Sequence, residues 1–165
     1  MTPGFGWRDE AFETLTHELR HHLEWRARAP DLEALDLAAE QNYARQDGEP
    51  FDPDFYRNGE SLGDGIWQVE DDVFLERVVD RPPASVTVRW AAVDYVVPIP
   101  PEASLPAFLV LQGVSAPPPG EILLVLRRTP SLLALLRRAP VYHAVVQVTK
   151  GTGYLPGAGP GAGSA

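Results

Sequence analysis

The sequence predicts an α+β protein in which a short N-terminal helical segment precedes a small β-rich domain. The spacing of apolar residues changes near residue 60. Before that point they recur every three or four positions, as on one face of a helix, and after it every second position, as on a half-buried strand. The 17 prolines lie mostly near predicted strand ends and turns, which favours short strands over long helices.

The helical segment, residues 1–46, is expected to contain two helices. The first covers "DEAFETLTHELRHHLEWRAR" and carries one apolar stripe, which we expect to be buried. That stripe consists of Phe12, Leu15, Leu19 and Leu23. Pro30 should end the first helix. The second helix covers "PDLEALDLAAEQNYARQ", with Asp31 as a candidate N-cap.

Three further regions follow. Residues 47–65 are rich in Gly, Pro, Asp and Asn, which predicts a linker. Residues 66–150 are expected to form a small antiparallel β-sandwich-like domain. The stretch "ASVTVRW" illustrates its strands, because Val86, Val88 and Trp90 alternate with polar residues. Residues 151–165, "GTGYLPGAGPGAGSA", contain too few apolar residues to fold and are expected to be disordered.

Composition excludes several classes of protein. The chain has no cysteine, so disulfides, thiolate metal sites and cysteine nucleophiles are excluded, and any metal must be held by His, Asp or Glu. P-loop and GxGxxG motifs are also absent. Residues 1–80 carry 20 acidic and 7 basic side chains, which would repel nucleic acid. No apolar run reaches the roughly 20 residues needed to span a bilayer, and the first residues lack a signal-peptide pattern. We therefore expect a cytoplasmic protein with no nucleic-acid or membrane partner.

The stretch "THELRHHLE" contains an HExxH motif. His17 and His21 are four residues apart, so on a helix they lie one turn apart on the same face. Two imidazoles in that arrangement can bind one zinc ion, and Glu18 beside them can act as general base. The two histidines fall on the side of the helix opposite the leucine stripe. The alternative is a charged, solvated helix surface without a metal.

The same residues carry a resemblance to a known family. "FETLTHELRHHLE", preceded by "GFGWRDEA", resembles the active-site helix of minimal zincin-type zinc metallopeptidases of bacteria. The resemblance covers about residues 4–40. It implies a zinc peptidase acting on peptide or unfolded-protein substrates, with His17 and His21 as zinc ligands and Glu18 as catalytic base.

Two departures from that family pattern affect the expected activity. The family continues as HExxHxxGxxD, but Glu24 and Ala27 occupy the Gly and Asp positions here. We expect Asp31 as the third ligand, with Asp36 second and Glu40 as a further candidate. For Asp31 and Asp36, N-capping and a solvated helix face are equally good interpretations. Zincins also place a sheet before this helix, and only about eight residues precede it here. Either the chain is truncated at its N-terminus or the later β segments supply the sheet, and weak or no peptidase activity is expected.

The β-rich half carries a looser resemblance. Residues 86–101, 108–113 and 120–128 are similar in order to the C-terminal peptide-binding domains of J-domain co-chaperones, although no HPD tripeptide is present. The resemblance implies a β-sandwich that accepts a peptide by strand addition. The alternative function is therefore a non-catalytic, chaperone-like peptide-binding module. His143, alone in an apolar strand, is expected to be a packed or edge histidine, and His22 is expected to face away from the metal.

Overall fold

A computed structural model describes residues 7–133 and 139–152 of the chain. Within the first helix it describes the side chains of residues 14–21, 23 and 31–46. The chain divides into two compact units, Met1–Gly59 and Glu60–Ala165, so the boundary falls inside the predicted linker. The first unit is helical and the second is built from strands, which confirms the α+β fold class.

The first unit contains one long helix, α1, where the sequence predicts two. Helix α1 runs from Trp7 to Gln46 and passes through Pro30 without interruption. The second helical element is a short 3-10 helix, Phe55–Asn58. Proline removes one N–H from the helical ladder, at a cost of about 3 kcal/mol. The residues on either side are mostly Ala, Leu, Glu and Arg, which have the highest helix propensities, so the helix continues and Asp31 lies inside it.

The predicted burial of the leucine stripe is wrong for its described members. Leu15, Leu19 and Leu23 are 68%, 55% and 57% exposed. Among the described side chains of α1, the buried ones lie instead in its last turns, at Ala38, Asn42 and Arg45. Their spacing of four and three places them on one face of the helix.

The chain turns back after α1. Gly48, with φ of +72°, adopts the left-handed conformation that commonly ends a helix, and the N–H of Glu49 donates to the carbonyl of Ala44 at 2.8 Å. The N–H of Asp52 then donates to Oε1 of Gln41 at 2.7 Å. Phe55 of the 3-10 helix is buried. The first part of the predicted linker is therefore folded within the helical unit.

The described residues of the second unit form nine strands in two sheets. In chain order the strands are β1 (Glu60–Gly63), β2 (Ile66–Val69), β3 (Asp72–Val78), β4 (Ser85–Trp90), β5 (Val93–Pro98), β6 (Ala107–Gln112), β7 (Ile122–Arg127), β8 (Tyr142–Gln147) and β9 (Thr149–Lys150). The larger sheet has the order β1-β2-β3-β7-β6-β8, and the smaller has the order β4-β5-β9.

The larger sheet is mixed, whereas the sequence predicts an antiparallel one. Strands β3 and β7 pair in parallel, and so do β6 and β8, while the other neighbours are antiparallel. The β3–β7 pair arises because the chain leaves the larger sheet after β3, forms the β4–β5 hairpin of the smaller sheet, and then returns. The β6–β8 pair arises because the chain passes from β7 to the far side of β6 before it forms β8. Alternating burial along a strand does not reveal such a crossover.

The hydrophobic core lies between the two sheets. Leu109 and Leu124 contribute to it from the larger sheet, and Val88, Tyr95 and Val97 from the smaller. Strand β7 occupies the middle of the larger sheet, and all six of its residues are buried. This arrangement matches the sandwich-like domain expected from the sequence.

The final strands connect the two sheets. Strand β8 pairs with β6 in the larger sheet, and β9 pairs with β5 in the smaller one. Val148 is the residue between them, and its N–H donates to the carbonyl of Gln112 at 2.9 Å. Of the tail predicted for residues 151–165, all but the first two lie outside the described residues. Over residues 7–133 and 139–152, no helix combines the length and apolarity needed to cross a membrane.

Candidate metal site

The two histidines of the HExxH motif lie together on α1. Their Nε2 atoms are 3.0 Å apart, and the ring centroids are 4.4 Å apart with the planes nearly perpendicular. Both side chains are exposed. The predicted juxtaposition of His17 and His21 is therefore present in the structure, and it follows directly from the one-turn separation of residues i and i+4.

The distance between the two nitrogens fits chelation of a metal ion. Two imidazole nitrogens bound to one tetrahedral zinc at about 2.0–2.1 Å are about 3.3 Å apart. The Nε2 atoms of His17 and His21 lie within a few tenths of an ångström of that separation. Without a metal, the same distance allows one ring N–H to donate to the other ring. The pair can thus offer two nitrogen ligands with little rearrangement of the helix.

Glu18 is exposed on the same stretch of helix. It follows His17 directly, so its Cα lies about 100° around the helix axis from the Cα of His17. A carboxylate at that position remains in contact with water and can accept a proton from it.

The predicted third ligands are not brought to the histidine pair. Because α1 is continuous, Asp31 lies about 15 Å beyond His21 along the helix axis, and Asp36 about 22 Å beyond it. Glu40 is further still, and all three side chains are exposed. The prediction that Asp31 would turn back toward the metal required the helix to end at Pro30. The helix instead continues through that residue. Among the described residues, no three His, Asp or Glu side chains gather into a group able to hold a metal ion.

Two glutamates that lie closer in sequence to the histidine pair than Asp31 are not among the predicted ligands. Glu13 lies four residues before His17, and Glu24 three residues after His21, so their backbone positions share the helix face of the histidines. Their side chains are outside the described residues. The helical spacing that identified the histidines also identifies these two positions, provided that the helix is taken as continuous.

The remaining histidines have other surroundings. His143 is exposed on β8, an edge strand of the larger sheet, and its ring centroid is 6.2 Å from that of Phe108. The prediction of an edge histidine is therefore confirmed. The side chain of His22 lies outside the described residues.

A second candidate site is the open edge of β4. Within the described residues, β4 is an edge strand whose neighbour is β5. The N–H of Ile99 donates to the carbonyl of Ala84 at 3.0 Å. In an antiparallel pair every second residue makes such bonds to the neighbouring strand, so this bond shows which residues of β4 direct their backbone groups toward β5. By that alternation, Val86 and Val88 direct their N–H groups toward β5, and Thr87 directs its N–H away from the sheet. This edge can therefore accept a further strand.

Comparison of the chain with protein-family models, curated proteins and solved structures found no match. The two resemblances described above therefore rest on the motifs of the sequence.

Proposed function

We propose that the protein is a zinc-dependent metallopeptidase in which His17 and His21 bind one zinc ion. The observation that carries this proposal is the 3.0 Å separation of the two Nε2 atoms on an exposed helix face. Both side chains are exposed, so a metal ion can reach the pair from solvent. We also infer a cytoplasmic protein that acts on peptides or unfolded proteins, as the resemblance implies.

The roles of the three residues follow from their chemistry. His17 and His21 would each provide a nitrogen lone pair to the ion. A zinc ion held there would supply Lewis-acid chemistry and lower the pKa of water to about 7. Glu18 would serve as the base that accepts a proton from water and as the acid that passes it to the amine that leaves the cleaved peptide. The carboxylate therefore works in both halves of the reaction, first as base and then as acid.

Two histidines leave the ion weakly held. Catalytic zinc sites use three protein ligands, and the described residues provide two at this position. A third ligand would have to complete the set, and Glu24 is a candidate by its backbone position three residues after His21. Peptide hydrolysis also requires an extended substrate held beside the metal. We accordingly infer weak peptidase activity.

Zinc binding is tested by metal analysis after equilibration with zinc. The unmodified chain should bind one zinc ion, and His17→Ala/His21→Ala should bind none. His143→Ala is the matched control, because it removes another exposed histidine and should retain the metal. Equal zinc in the double variant and the unmodified chain would exclude this site.

The catalytic role is tested separately with Glu18→Gln on an unfolded, casein-like substrate. The amide cannot accept the proton, so this variant should keep the zinc and lose cleavage by about 100-fold or more. Equal cleavage by both forms would remove Glu18 from the mechanism. Zinc binding without cleavage in either form would leave a metal-binding helix and exclude the peptidase.

We infer a second candidate function, peptide binding by strand addition, from the open edge of β4. Thr87→Pro removes an N–H that faces away from β5, so it should block an added strand and leave the sheet intact. Thr87→Val is the control, since it keeps the N–H. Loss of unfolded-peptide binding in the proline variant alone, with no dependence on zinc, would favour this function over the peptidase.

A further inference from the structure

The His17–His21 pair can fill half of the positions around a zinc ion. Zinc in structural protein sites is almost always bound by four ligands in tetrahedral geometry, and the two Nε2 atoms, 3.0 Å apart, can supply two of them. Among the described side chains of the protein, no third His, Asp or Glu gathers with this pair. Two positions on the ion are therefore left for ligands from another source.

A second large molecule can reach the pair. Both rings are exposed, on the face of α1 opposite Leu15 and Leu19. The described side chains around them in sequence, residues 14–21 and 23, include one acidic and one basic residue, Glu18 and Arg20. Their charges balance, so this stretch does not by itself repel the same stretch of another copy, although each whole chain carries a net charge of −9.

We propose that one zinc ion joins two copies of the chain through His17 and His21 of each copy. This inference rests on the zinc site of the proposed function and names the partner that completes its coordination. Each copy contributes the same two residues, so the contact is symmetric about a two-fold axis through the ion. Four imidazole nitrogens fill the tetrahedron and leave no position for water, as in structural zinc sites. The bridged form would therefore hold zinc without cleaving peptides.

The geometry of the pair determines how the two copies meet. His17 and His21 are one turn apart, about 6 Å along the axis, so their nitrogens line up roughly along α1. In a tetrahedron, the line that joins two of the ligands is perpendicular to the line that joins the other two. The two helices should therefore cross at a steep angle and contact each other over about one turn. Leu15 and Leu19 lie on the far side of each helix and take no part in the contact.

A ligand from the same chain competes with the second copy. Glu13 and Glu24 share the helix face of the histidines by backbone position, so either is a candidate to complete a site within one chain. Mass action decides between the two forms. When chains outnumber zinc ions, two histidine pairs share each ion, and when zinc is in large excess, each pair takes an ion of its own. The zinc supply would thus switch the site between a closed dimer and an open single chain.

The test is sedimentation of the full chain at one protein concentration with increasing zinc. Without metal the mass should be the 18.1 kDa of one chain, and at one zinc per two chains it should double. A large excess of zinc, or removal of the metal with a chelator, should restore the single chain. Added salt screens the repulsion between two chains of net charge −9, so it should not weaken the dimer.

Three variants locate the contact. His17→Ala/His21→Ala should remain a single chain at every zinc concentration. His143→Ala removes another exposed histidine and should dimerise like the unmodified chain. Leu15→Ser/Leu19→Ser alters the opposite face of α1 and should also dimerise normally. All of these residues are exposed, so thermal unfolding of each variant without metal should match that of the unmodified chain.

Three results would overturn the proposal. Zinc bound to single chains at every ratio would exclude the bridge and leave the proposed metal site intact, because a ligand of the same chain would then complete it. A dimer that forms without zinc, or that the leucine variant abolishes, would place the contact elsewhere on the chain. Absence of zinc binding at any ratio would exclude both the bridge and the proposed metallopeptidase site.

Discussion

The carboxylate of Asp72 accepts a hydrogen bond from the backbone N–H of Glu121, with Oδ1 2.7 Å from the nitrogen. Asp72 is the first residue of β3 and is buried. Glu121 directly precedes β7, the strand that pairs in parallel with β3. The bond therefore fixes the starts of two strands that are 49 positions apart in the sequence.

Replacing Asp72 by Ala should lower the free energy of unfolding by about 1.5–3 kcal/mol, the usual contribution of a buried hydrogen bond to a charged group. Urea denaturation measures the change. Asp72→Asn is the control, since its amide oxygen can still accept the bond and the loss should be smaller. Equal stability of the Ala variant and the unmodified chain would show that the bond does not hold the two strands.

Gly120→Ala should also destabilise the second unit. A Cβ at this position would lie 2.6 Å from the backbone oxygen of Asp71 and would also collide with the Asp72 carboxylate. The β2–β3 turn must then shift, at a cost of about 1–3 kcal/mol. Gly151→Ala is the control, because its Cβ would lie 3.4 Å from the nearest atom, the carbonyl oxygen of Asp94. A thermal midpoint that falls equally in both variants would contradict this reasoning.

Pro30→Ala should stabilise α1, because the helix passes through this position and alanine restores the missing N–H. The gain should approach about 3 kcal/mol. Circular dichroism should record higher helicity, and zinc affinity should be unchanged because Asp31 is distant from His21. Pro50→Ala, outside the helix, should not raise the helicity. Weaker zinc binding in the Pro30 variant would instead support Asp31 as a ligand.

Tyr142 should contribute to the alkaline limit of stability. Burial raises its pKa above the ordinary 10.0, and the hydrogen bond that its hydroxyl donates to Glu102 adds to the shift. The folded state therefore favours the neutral phenol. The resulting stabilisation is complete below the pKa of the unfolded chain, near 10, and is lost as the pH rises through the folded pKa. The stability difference between the unmodified chain and Tyr142→Phe, measured in urea, should fall above pH 10.

Tyr95→Phe is the control for that pH dependence. Hydrogen bonds with Ser115 lower the pKa of Tyr95, so its linkage has the opposite sign. The stability difference between the unmodified chain and this variant should rise as the pH approaches 10. The same trend in both tyrosine variants would mean that neither shift governs the alkaline response.

The fold class could be predicted because each half of the chain shows its own periodicity. Val86, Val88 and Trp90 alternate as expected on β4, and Val88 is buried. The pairing of β3 with β7 could not be predicted, because alternation sets the face of a strand and not its neighbour. The continuity of α1 through Pro30 differs from the prediction because proline usually ends a helix, whereas the helix propensity of the flanking residues outweighs that effect here.

For the candidate site, the sequence predicts only the part that depends on neighbouring residues of one helix. The spacing of His17 and His21 is sufficient to bring their rings together, and the structure contains that pair. The third ligand depends on where distant parts of the chain lie, which a single motif does not encode. The sequence pattern could not predict the exposure of Leu15, Leu19 and Leu23 either. An apolar stripe identifies one face of a helix, but it does not identify what covers that face.

The passage of one chain segment from β8 into β9 has a consequence for the order of folding during synthesis. A nascent chain that ends before Tyr142 leaves β6 and β5 each with an unpaired edge, one in each sheet. Both edges gain their last neighbour from the same nine residues, 142–150. The second unit therefore completes its two sheets only after the ribosome has translated Lys150. Until then, a chaperone that recognises open strand edges has two further places to bind besides the edges that stay open in the folded unit.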